Sequence, residues 1–179
     1  MATAKRYSFT LPHPAGSSGR VWTAAPAEGL PAVVVYGGSA GAGVGAGAGA
    51  DLAAAVATRV ARAGFTAVVL EAPGEANDDS GAGLAAACDA LARGDLVPGL
   101  APSATLVVLG YGIGVEPARA YAARHGTELL VLWRWVAGAA NGVGRIETER
   151  IAWGSHVVER SLQPDEALDA LLAWLARVM

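Results

Sequence analysis

Cysteine, charge and long apolar runs are all scarce in this sequence. Cys88 is the only cysteine, which excludes an internal disulfide and any zinc cage built from several thiolates. Charged residues make up 16% of the 179, with a formal net charge of -3, and no run of Lys and Arg occurs. The electrostatic footprint that attracts nucleic acid or an anionic membrane is therefore lacking, and neither is expected as a partner. Apolar stretches such as Leu129 to Trp133 and Ala104 to Gly110 fall far short of the roughly 20 residues that cross a bilayer. Met1 to Ser8 lacks the apolar segment of a secretory signal, so a cytoplasmic location is expected. No metal or cofactor is expected either.

What the chain has in quantity is apolar residues, at 53%, and glycine, with 24. That content suits one domain with a sizeable core, spanning residues 1–179. Tyr7 to Leu11 and Arg20 to Ala24 read as strands joined by a turn-rich segment, an antiparallel hairpin. Ala32 to Tyr36, Thr66 to Leu70 and Thr105 to Leu109 are continuous apolar runs, the pattern of strands buried on both faces of a parallel sheet. Helices are predicted over Leu52 to Ala63 with Asp51 as its cap and Gly64 as its stop, over Ala82 to Arg93, and over Glu116 to His125. Leu129 to Val136 and Arg145 to Trp153 read as further strands. Pro164 to Val178 reads as an amphipathic helix with Leu168, Leu171, Leu172 and Leu175 inward. Alternating strand and helix implies right-handed crossovers and an α/β fold with a mostly parallel central sheet. In the Ala-rich run around it, Cys88 reads as a packing residue.

The stretch from Gly41 to Ala50 reads as a glycine loop. Its glycines repeat every second residue, whereas a dinucleotide fingerprint needs them at the first, third and sixth places. A phosphate loop would also end in Gly-Lys-Ser/Thr, and Asp51 puts an anion there instead. Gly37-Gly38-Ser39-Ala40-Gly41 fits an oxyanion loop, in which backbone NH groups face a substrate oxygen at a strand's carboxyl end; it fits a plain crossover as well.

At Val107-Val108-Leu109-Gly110-Tyr111-Gly112-Ile113-Gly114 a buried strand runs into a tight turn and a helix, the setting of a nucleophile elbow. Here the chain resembles the dienelactone hydrolases and related α/β hydrolases, which carry Gly-Tyr-Cys-x-Gly-Gly or Gly-x-Ser-x-Gly at this place. The resemblance extends to Ala25-Pro26-Ala27-Glu28-Gly29 before the first buried strand, to Arg62 through Gly74, and to Trp153-Gly154-Ser155-His156 before the last helix. It implies a three-layer α/β-hydrolase-like fold, with His156 as the base and Gly38, Ser39, Gly112 and Ile113 around an oxyanion.

Two departures from the family's pattern carry the chemistry. Gly112 falls at the nucleophile's place and has no side chain to attack anything. Between Leu129 and His156 the family has another strand, an acid loop with aspartate and a helix; this chain is shorter and has no aspartate there, so one αβ unit is expected to be missing. His156 would then draw on Glu71, Glu147 or Glu149 to hold its tautomer. Glu71 is preferred, because it follows a buried strand and so stands at the rim where open α/β sheets bind ligands. Tyr36 and Tyr111 flank the same cleft and could donate to a bound carbonyl, or could pack under the sheet. Ser39 is a substitute nucleophile only with a base in reach. His13 and His125 read as structural.

Three functions follow as expectations. One is a non-hydrolytic enzyme using His156, Glu71 and Tyr111 for elimination, cyclisation or hydration of a small apolar carbonyl compound. The second is an inactive relative that binds a ligand or partner protein, and the third is hydrolysis through Ser39 or a water activated by His156. Both faces of Leu129 to Val136 are apolar and include Trp133 and Trp135, so a homodimer burying one of these tryptophans is expected, either over an open edge or, where Arg145 to Trp153 covers it, through that half-exposed strand pairing across a two-fold axis.

Overall fold

The computed structural model describes residues 4–11, 18–38, 46–71, 81–112, 114–125, 129–136, 145–152, 155–158 and 164–178. The continuous apolar runs are strands with both faces covered. On Ala32–Gly38, called β3 in chain order, Ala32, Val34 and Tyr36 join one apolar cluster and Val33 and Val35 the other. Thr66–Glu71 (β4) and Leu106–Gly112 (β5) split the same way, with Val68, Leu70 and Val108 on one face and Ala67, Val69, Val107 and Leu109 on the other. Successive side chains of a strand point to opposite faces, so a strand covered twice must be apolar throughout.

Helices supply the covers. Ala46–Arg62 (α1) and Pro164–Val178 (α4) bring Val56, Val60, Leu168, Leu171 and Leu175 to one face. Ala82–Arg93 (α2) and Val115–His125 (α3) bring Leu84, Cys88, Leu91, Ala118 and Tyr121 to the other. The result is three layers around one sheet. Helix ends follow local chemistry: Gly64 takes φ +96 just past α1, and Gly94 takes φ 79 past α2 with its N–H on the carbonyls of Ala90 and Leu91, the left-handed position that glycine occupies without strain.

Lys5–Thr10 (β1) and Ser18–Thr23 (β2) form the expected antiparallel hairpin. With Leu129–Val136 (β6), Arg145–Ala152 (β7) and Ser155–Val158 (β8) they complete an eight-stranded sheet of order β1-β2-β4-β3-β5-β6-β7-β8. Two corrections follow. The sheet is mixed rather than mostly parallel: only β4, β3, β5 and β6 run together, and β7 and β8 form an antiparallel meander beyond them. Asp51 does not cap α1, which begins five residues earlier at Ala46. Alanine is the strongest helix former, and here it carries the helix back through glycines that each cost about 1 kcal/mol. The remaining part of the glycine loop, residues 41–45, lies outside the described residues, as do residues 39–40 before it.

β6 is also not an open edge. β7 pairs with it over its full length, Trp133 opposite Thr148 and Trp135 opposite Ile146, so the edge argument for a homodimer passes to β8 and to Arg145 to Thr148 of β7, which β8 does not pair. Among the described residues no helix is long and apolar enough to cross a membrane.

Candidate functional site

The four parallel strands place their carboxyl ends along one rim. α1 leaves β3 over one face, while α2 and α3 leave β4 and β5 over the other. Chain direction therefore diverges between β3 and β5, and a crevice opens at such a switch point. Gly38 pairs with Gly112 across it, and Gly37 with Tyr111.

Glycine is needed here for close approach. A Cβ on Gly110 would lie 2.6 Å from the Ala118 Cβ and 2.8 Å from the Gly114 carbonyl oxygen, and one on Gly114 would overlap the backbone of Tyr36 and Gly37. Gly37 has φ +154, a value that side-chain-bearing residues avoid, and a Cβ there would strike the Tyr111 carbonyl. The turn after β5 closes with the Gly114 N–H donating to the Tyr111 carbonyl at 2.9 Å, and α3 starts with Ala118 N–H to the Gly114 carbonyl at 3.0 Å. The Gly110-x-Gly112-x-Gly114 spacing is thus a packing requirement at its two outer positions. Their contacts with Ala118 and β3 were not legible in the sequence, although the spacing itself was.

The two tyrosines that flank the crevice in sequence lie on opposite faces. Tyr36 is 2% exposed among α2 and α3, and Tyr111 is 9% exposed on the face of α1 and α4; they do not meet in one pocket. Glu71 ends β4 level with Gly37, which is level with Tyr111, so Glu71 and Tyr111 share a register level two strands apart, about 10 Å. Ser39 and Ile113 lie outside the described residues.

His156 stands elsewhere. It is on β8 rather than in a loop, opposite Ile151, which is opposite Leu130, which is level with Val108. That position is three strands and four residues from Gly112, about 14 Å across the sheet and about 13 Å along it. A base acts at about 3 Å. Five strand steps separate His156 from Glu71, so the preferred carboxylate is not its neighbour. The register instead puts Glu149 diagonally across from His156, since Glu149 pairs with Val158 and Ile151 with His156.

Away from the rim, Cys88 is buried between α2 and α3. Burial pushes its thiol from an ordinary 9.0 up to about 12, a rise that a hydrogen bond from Tyr121 reduces and the Asp89 charge increases. Burial also raises the Tyr121 phenol, helped by Cys88 and Asp89, and its ring stacks on His125 with centroids 4.4 Å apart. A thiol in this state is inert. No group of His, Cys, Asp and Glu that could hold a metal occurs among the described residues.

The strand order, the two helix layers and the glycine-bound turn after β5 define a three-layer α/β fold. Solved structures carry the comparison further. A cold-adapted esterase from an Arctic intertidal metagenomic library is similar at TM-score 0.54 and 17% identity, over 74% of this chain and 61% of that one. A hypothetical protein from Pseudomonas aeruginosa is similar at 0.51 and 16%, over 74% and 43%, and an esterase of Pyrobaculum calidifontis at 0.50 and 21%, over 69% and 41%. At such identities the likeness is one of fold, and this chain spans about two to three fifths of the length of these structures. No family model matches the sequence, and no curated protein does.

Proposed function

We propose that this chain is a dienelactone-hydrolase-like domain, shortened by an αβ unit, that keeps the fold's rim as a small-molecule binding surface and lacks its covalent chemistry. The observation that carries this reading is the combination at the end of β5. Gly110 and Gly114 are held by contacts that tolerate no side chain, as a preserved elbow requires, yet Gly112 between them offers no nucleophile. The second support is the place of His156 on β8, remote from Gly112 by register. A triad works through a nucleophile, a base and an orienting acid in mutual contact, and the register separates this histidine from the nucleophile's place.

A non-hydrolytic acid–base enzyme is the second reading. It is favoured by Glu71 and Tyr111, which share one level at the rim and could hold or move a proton on a bound carbonyl compound without a covalent step. It needs no cofactor.

The test is p-nitrophenyl acetate turnover together with labelling by a fluorophosphonate probe. No turnover above the buffer rate and no adduct on the tryptic peptide spanning Gly112 are expected. Turnover accompanied by an adduct on any residue overturns the proposal. His156→Ala is expected to leave ligand binding at the rim unchanged.

A further inference from the structure

We draw no further inference here: the strongest candidate, the exposed face of the β1–β2 hairpin on which the register sets Arg6, Ser8 and Arg20 side by side, carries none, because Arg20 is already engaged within the chain and nothing in the structure shows what would cover that face.

Discussion

At Gly110 a single methyl group has nowhere to go. Gly110→Ala pushes on the Ala118 Cβ and the Gly114 carbonyl, and overpacking of this kind costs roughly 1–3 kcal/mol. Gly81→Ala is the control, because a Cβ there meets nothing within 4 Å; urea unfolding should show a change under about 0.5 kcal/mol, the usual surface range. Gly112→Ser or Gly112→Cys supplies the absent nucleophile, but by register His156 is three strands and four residues away. At most trace esterase activity is expected; robust turnover of p-nitrophenyl acetate by either variant would reveal a base at the rim. Cys88 yields a pH prediction. Its folded pKa is raised, so the native state holds a proton that the unfolded chain releases near 9.0. The stability it contributes is complete below pH 9 and is lost as pH rises towards about 12. Tyr121 shifts in the same direction and adds to the effect. Chemical denaturation between pH 8 and 11 should show stability falling with pH, less steeply in Cys88→Ala. A thiol reagent should react with Cys88 only on the unfolding timescale.

Among the elements, α4 is the one whose attachment can be apportioned. An ion pair joins Arg59 of α1 to Asp169 of α4, with side chains 39% and 66% exposed, and exposed pairs contribute about 0–1 kcal/mol. Leu175 of the same helix is fully buried, and truncating such a leucine costs about 2–5 kcal/mol. Leu175→Ala should therefore destabilise the protein several times more than Asp169→Ala in urea unfolding; the reverse order would mean that charge holds the helix. The leucine stripe Leu168, Leu171, Leu175 was legible because burial on one helical face leaves a 3.6-residue period. The valine runs were legible because double coverage leaves no polar position. β8 was not: four residues show no alternation, and Trp153-Gly154-Ser155-His156 resembles a family loop, which drew His156 towards the rim. The start of α1 was hidden as well, since a run of alternating glycine and alanine has no apolar stripe to mark a helix.

For the molecule as a whole, strand direction is what periodicity does not encode. The signal lay in the connections. Only residues 137–144 separate β6 from β7 and only 153–154 separate β7 from β8, and a parallel return needs about a dozen residues or more. Counting them predicts the meander and removes the basis for a triad spread over parallel strands. It also changes the expectation for assembly. Since β7 pairs along all of β6, a homodimer through a sheet edge would use β8 and Arg145 to Thr148 of β7, and sedimentation velocity at micromolar concentration should show a dimer that an Ile146→Lys substitution dissociates. A monomer would overturn the edge-mediated assembly. The reversal of direction at β6 has one more consequence, for how such a fold can diversify. The β6–β7 connection leaves from the same end of the sheet as the rim, whereas the β7–β8 connection lies at the opposite end, level with the start of β6. Added length in the first would build a canopy over whatever the rim holds and change its selectivity. Added length in the second would only enlarge the underside, which makes the β7–β8 connection the place to insert a fluorescent reporter or an affinity tag away from the rim.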